Sequence, residues 1–478
     1  MTQDTHSTQH PVEAAPGGPR RLARLRLRAR QAWITLLRRV QRDPATEDVV
    51  ILGLAVLTGL LGALAAAAFY QLVALGNALL VRLPLRLLPP GFDWLYRPLL
   101  TGAAFALAAW LIRRLGAGYD GMNIPDVAAA VTSRSGRLPL RPAAAKTLAS
   151  SVTIAGGGSA GSEGPIAVLG AVLGSQLAQR LRLRTQRTRV LVGAGAAAGI
   201  SAAFNTPLAG AFFALEEILS SFSSVAFAPV VVSSITASLA AQALLGAHPA
   251  FSEPLDVGYR FYREILVFFP LLGLAAGVLS AAFIRLEDTL ARRTWRRVPR
   301  GLTPWLGGAL VGVLVAGSGG LLASRGHIDV HLESLAALSW YMALLFAAGK
   351  VLATAVTLNT GGSGGVFAPS LFAGALLGSG IAGLLRLAFP ELPIEVSAYA
   401  VVGMGAVLAA ATGAPITGTL FVFELTRDYR LMLPLLLTVV VALAVRRSLV
   451  QDNLYSSWLR RTGRLPAVRP QGGARPNA

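Results

Sequence analysis

The chain has no cysteine, which removes disulfides, thiolate metal sites and cysteine nucleophiles from consideration. Histidine is nearly as scarce: His6, His10, His248, His327 and His331 are the only five in 478 residues, all in tails or expected loops. His327 and His331 flank Asp329 at a spacing that could hold a metal on a helix, but a solvated loop pair is the plainer reading, and neither metal nor cofactor is expected. Charge is thin at 14%, and acids are thinner, 23 against 43 lysines and arginines. With 54% hydrophobic residues this is no ordinary soluble domain; it reads as an all-α polytopic membrane protein. The net charge of +20 does not read as a nucleic-acid surface. Its arginines cluster between apolar segments and at both termini, where they mark cytoplasmic ends of spans.

Within this apolar chain, residues 155–179, AGGGSAGSEGPIAVLGAVLGSQLAQ, place one acid, Glu163, between glycines and a proline. Gly156-Gly157-Gly158 breaks helix geometry, and Pro165 suits a first helical turn, so a broken helix restarts near Glu163 with free N–H groups pointing inward. Such a helix start carries roughly +0.5 of a charge and favours anions. Residues 361–379, GGSGGVFAPSLFAGALLGS, repeat residues 157–175, with Pro369 answering Pro165 and Gly374 answering Gly170. A second pair follows: Pro207-Leu-Ala-Gly210 with Glu216, and Pro415-Ile-Thr-Gly418 with Glu424. Two related halves with paired broken helices point to a transport site near the bilayer midplane.

Three motifs, Gly121-Met-Asn-Ile-Pro125, Gly161-Ser-Glu-Gly-Pro165 and Gly365-Val-Phe-Ala-Pro369, followed by Tyr455, resemble the anion filter of the CLC family of chloride channels and proton/chloride antiporters. The resemblance runs from about Val49 to Arg461. It implies an inverted-repeat architecture whose broken helices meet at a mid-membrane anion site. It also implies a homodimer with one pathway per subunit, in a lipid membrane. Backbone donors at the helix starts, Ile124, Gly164, Val366 and Phe367, with the Tyr455 hydroxyl and, for the hydroxyl missing at Met122, backbone or the Asn123 amide, would replace an anion's hydration. Glu163 would mimic a bound anion and act as the gate. Of the adjacent acids Glu216 and Glu217, the first has a repeat mate in Glu424 and reads as structural; the second falls on the family's internal proton-transfer position. Its presence favours proton-coupled chloride antiport over a passive channel. Lys146, seventeen residues before Glu163, matches a lysine that the family tends to carry. It is expected near the anion path, with a snorkelling side chain as the alternative.

The expected organisation is a basic cytoplasmic arm over 1–45, a membrane domain over 46–461 in halves of about 46–246 and 260–461, and a short tail over 462–478. The arm could lie on anionic lipid as an amphipathic helix or remain disordered. The basic patches put both termini in the cytoplasm, in what reads as a bacterial inner membrane. The chain ends soon after Tyr455, so the paired regulatory nucleotide-binding domains of many eukaryotic relatives are not expected. Two departures from the family pattern stand out. Met122 replaces a serine hydroxyl and cannot donate a hydrogen bond, and Ser162 replaces the usual basic residue before the gate. Both bear on anion choice, and fluoride exchange is a minority alternative. Gly157-Gly-Ser-Ala-Gly161 also fits a hydrolase nucleophile pattern, but without a buried histidine no enzyme is expected.

Overall fold

A computed structural model describes residues 44–87, 89, 91–116, 122–246, 267–294, 298–299, 301–324, 335 and 337–464. The arm up to residue 43, the tail beyond 464, Gly121 and the histidines of the sequence lie outside the described residues. The chain divides into two compact units, 1–53 and 54–478. Residues 44–53 of the first begin a helix, and all other described residues belong to the second.

The described residues are helical throughout, apart from turns and one isolated bridge. The first half comprises α1 (Pro44–Asn77), continued through a π turn (Ala78–Arg82) into α2 (Leu83–Leu87), then α3 (Asp93–Leu115) and α4 (Ile124–Ser133). It goes on with α5 (Leu140–Ala155), α6 (Glu163–Arg180), α7 (Thr185–Phe204), α8 (Pro207–Phe213) with a π turn (Ala214–Ile218), and α9 (Ser224–Leu245). The second half comprises α10 (Phe268–Thr289), α11 (Thr303–Gly317), α12 (Trp340–Asn359), α13 (Phe367–Ala388) and α14 (Val396–Thr412). It ends with α15 (Pro415–Thr426), α16 (Met432–Leu449) and α17 (Leu454–Arg461). Among the described residues, seven helical stretches are long and apolar enough to cross a membrane, while α11 and α14 are shorter apolar helices. The first stretch, Thr46–Leu87, has 42 residues. At 1.5 Å per residue it is about 60 Å long, twice the hydrocarbon thickness of about 30 Å, so it cannot stand upright within a bilayer.

Glycine decides how closely the central helices approach. A Cβ at Gly170 of α6 would strike the Gly195 carbonyl of α7, and one at Gly174 would strike the Leu191 carbonyl. Their repeat mates behave alike: Gly374 faces the Gly403 carbonyl of α14, and Gly378 faces that of Tyr399. Where lipid supplies little hydrophobic drive between helices, such backbone contact is the main source of association. Gly170→Ala is therefore expected to lower stability by about 1–3 kcal/mol, the usual cost of overpacking. Gly317→Ala, whose Cβ meets nothing within 4 Å, should cost far less. Thermal unfolding of both variants in detergent checks this, and equal midpoints would contradict it.

Candidate functional site

The broken-helix loops of the two halves are built by exchange. Gly161 and Gly365, repeat mates, each donate to the other's carbonyl at 2.8 Å. The Ser159 N–H donates to Thr357 Oγ1 at 3.2 Å, and the Ser363 N–H donates to Thr153 Oγ1 at 3.0 Å. The Ser159 hydroxyl shares a hydrogen bond with Thr354, and the Ser363 hydroxyl shares one with Ser150. Thr153 and Thr357, like Ser150 and Thr354, are 204 residues apart, so α5 ties down the loop before α13, and α12 ties down the loop before α6. Ser159, the serine of the nucleophile-like pattern, and its repeat mate Ser363 thus serve as cross-ties. Gly157 and Gly361 adopt φ of +89° and +119°, a backbone region that side chains disfavour, and this turns each loop back towards its partner.

Glu163 is the first residue of α6 and is wholly buried. Its side chain leaves its own helix and reaches α13, where Oε1 accepts from the N–H groups of Phe367 at 2.8 Å and Ala368 at 3.1 Å. A carboxylate therefore sits on helix-start donors that have no acceptor within their own helix. Its Oε2 has no hydrogen-bond partner among the described residues. The Phe367 ring packs against Phe204, Phe213 and Phe421, which fixes the amide beside it.

Next to this acid lies a cavity of about 100 Å³ that gathers Asn123, Ile124, Gly164, Val366 and Tyr455, together with Lys146. The Tyr455 hydroxyl is buried without a partner among the described residues. Ile124 opens α4, so its N–H lacks an intrahelical acceptor. The Asn123 N–H is different: it donates to Asp126 Oδ2 at 2.8 Å, which leaves the side-chain amide as that residue's donor. Lys146 donates to the Gly364 carbonyl at 3.1 Å and is buried, not snorkelling. Glu287 also lines the cavity, paired with Arg461 at 2.8 Å, so its charge there is offset.

Two residues stand apart from this cavity. Met122, fully buried, lines a separate space of about 150 Å³ with Asp126, Arg134 and Arg137. Its neighbour Asn123 lines the cavity beside Glu163, and Met122 stands directly before the turn into α4. Phe367 contributes its amide to Glu163 and does not line the cavity.

The adjacent acids diverge. Glu216 accepts from the N–H groups of Ile416 at 3.2 Å and Thr417 at 2.9 Å, and from the Thr417 hydroxyl at 2.7 Å, so it caps the start of α15. Glu424 returns the favour by accepting from Leu208 at 2.8 Å and Ala209 at 2.7 Å at the start of α8. Glu217 is half-buried on the π turn, and no hydrogen-bond donor meets its carboxylate among the described residues. Tyr455 lies in the electrostatic field of both Glu163 and Glu217.

Sequence reasoning missed Lys350, although the repeat pointed to it as the mate of Lys146 at the same 204-residue offset. It is buried, donates to the Leu322 carbonyl at 3.0 Å, and acts electrostatically on Glu163. Nothing in the sequence pointed to Ser324, whose hydroxyl accepts from the Ala160 N–H at 3.0 Å and whose own N–H donates to the Gly158 carbonyl at 3.1 Å.

Comparison with known proteins gives consistent results. The model of the voltage gated chloride channel family matches residues 103–447. A ClcB-like chloride channel protein of Ralstonia nicotianae is 34% identical over 360 residues, 71% of this chain and 81% of that protein. The H+/Cl− exchange transporter ClcA of Vibrio campbellii is 30% identical over 396 residues, covering 79% and 82% respectively. The crystal structure of a slow cyanobacterial Cl−/H+ antiporter superposes with a TM-score of 0.74 at 27% identity, over 86% of this chain and 97% of that one.

Proposed function

Because the chain belongs to the voltage-gated chloride channel family, a family of transport proteins and not of enzymes, we propose that it exchanges chloride for protons across a membrane. In this reading Glu163 is the gate. Its carboxylate occupies the amides of Phe367 and Ala368 as a chloride ion would, and leaves when it is protonated or displaced by an anion. The observation that carries the proposal is that pair of helix-start hydrogen bonds to a fully buried acid. Ile124, Gly164, Val366, the Asn123 amide and the Tyr455 hydroxyl bind the anion on the neighbouring side. Many weak donors replace its hydration without trapping it. Glu217 carries the proton by a route that enters through the π turn and approaches Glu163 past Tyr455. Buried acids in membrane helices serve this purpose in pumps and transporters.

The same reading assigns residues 46–461 to a membrane domain in two halves, about 46–246 and 260–461. It is a homodimer in a bacterial inner membrane, in contact with lipid and with both termini cytoplasmic. Purified protein in liposomes, placed under a chloride gradient with pH recorded, tests the function. Protons moving uphill as chloride runs down are the expected result. Chloride flux without protons would make the protein a passive channel, and fluoride movement in place of chloride would reassign the anion.

A further inference from the structure

The walls of the cavity beside Glu163 come from different halves of the chain. Asn123 and Ile124 stand at the start of α4, in the first half, and Tyr455 is the second residue of α17, in the second. A ligand bonded to both walls is sensitive to their separation, because hydrogen-bond lengths span only about half an ångström. Within its own half α17 is well tied. The buried Arg446 donates to the carbonyls of Gln451 at 3.2 Å and Asp452 at 3.4 Å, which lead into α17, and to that of Ala410 at 3.0 Å. At the far end of α17, Arg461 meets Glu287 of α10 at 2.8 Å.

Asp126, the third residue of α4, supplies a tie across the halves. Its side chain is buried, which is costly for a carboxylate unless donors meet it. Oδ2 accepts the Asn123 N–H at 2.8 Å and closes the cap of α4, the usual task of an acid at this position. Oδ1 turns the other way. It accepts from the Trp458 indole at 3.4 Å and pairs with the guanidinium of Arg464, 338 residues away in sequence. Trp458 follows Tyr455 by three residues, about 4.5 Å along the helix, so holding its indole sets the height and rotation of the turn that carries the tyrosine. Asp126 itself does not line the cavity, and so acts only through these neighbours. We propose that Asp126 is a positioning residue of the anion site: one oxygen caps α4, the other holds α17, and together they fix the spacing between the α4 donors and the Tyr455 hydroxyl. This role rests on the transport reading above, in which both walls bind the anion.

Two measurements on the full-length protein test it. The chain has no cysteine, so a pair introduced at the exposed Ser133, which ends α4, and Thr462, just past α17, can carry spin labels. Their distance distribution, read by electron paramagnetic resonance, should shift or broaden in Asp126→Asn, whose amide can accept on one side only. It should do so too in Trp458→Phe combined with Arg464→Gln, which spares the cap of α4. Asp126→Glu keeps two acceptor oxygens and should restore the original distribution. In liposomes, the chloride KM should rise about tenfold in Asp126→Asn while the maximal rate per folded protein stays within about twofold, and Asp126→Glu should bring KM back. A purely structural tie would lower the yield of folded protein and leave KM alone. Unchanged label distances in both disrupted variants, or an unchanged KM, would overturn the proposal. If the original protein moves no chloride, the transport reading falls and this role with it; if it exchanges chloride and KM stays put in the variants, this role alone falls.

Discussion

Glu163→Gln should reduce chloride-driven proton movement to less than about a tenth of its original rate while chloride flux persists, because the amide keeps the shape of the acid but cannot carry a proton. The glutamine carbonyl can still accept from Phe367 and Ala368, although the charge assistance that roughly doubles such bonds is gone. It therefore holds the site less tightly than the carboxylate and yields it to an anion more readily. Glu163→Ala goes further, since both N–H groups become free for a second anion beside the one in the cavity. Bromide binding, measured by calorimetry or anomalous diffraction, should rise by one ion per chain in Glu163→Ala and by a smaller amount in Glu163→Gln. Proton transport surviving in either variant would remove Glu163 from the gate.

Glu217→Gln is the second large effect, and Glu216→Gln is its control. Glu217 meets no hydrogen-bond donor among the described residues, so its amide analogue loses little structurally, and coupled proton flux should fall to about a tenth or less with chloride flux retained. Glu216 is bound by two helix-start N–H groups and a hydroxyl of α15. Replacing that carboxylate should cost about 1–3 kcal/mol of stability, as expected when hydrogen bonds to a charged group are lost, and leave coupling in place. Flux in liposomes and thermal unfolding in detergent separate the two. The opposite pattern, with Glu216→Gln uncoupled and Glu217→Gln merely unstable, would exchange their roles.

The separation of these two acids was legible in the sequence because repetition marks geometry: a residue with a mate in the other half holds structure common to both halves. The same logic placed the restart of α6 at Glu163 and paired Gly170 with Gly374. It also points to Lys350, the mate of Lys146 at the same offset. Other features were beyond such reading. The capping of α4, in which the Asn123 N–H donates to Asp126, is set by a local turn that the motif does not reveal. Ser324 belongs to a turn that the repeat does not contain. The partners of Glu216 and Glu424 are about 200 residues away in sequence, and no local pattern encodes so distant a hydrogen bond.

That exchange between Glu216 and Glu424 also orders events during synthesis. The N-terminal half leaves the ribosome with the start of α8 uncapped and with Gly161 unpaired, because Glu424 and Gly365 have not yet been made. At ~5–20 residues per second, the 208 residues from Glu216 to Glu424 take ~10–40 s to translate. Throughout that interval the donors at the start of α8 and at Gly161 lack the acceptors they have in the native protein. The insertion machinery, or water held within a loose bundle, must satisfy them until the second half arrives. The hydrogen bonds that join the two halves are therefore complete only once residue 424 has been made.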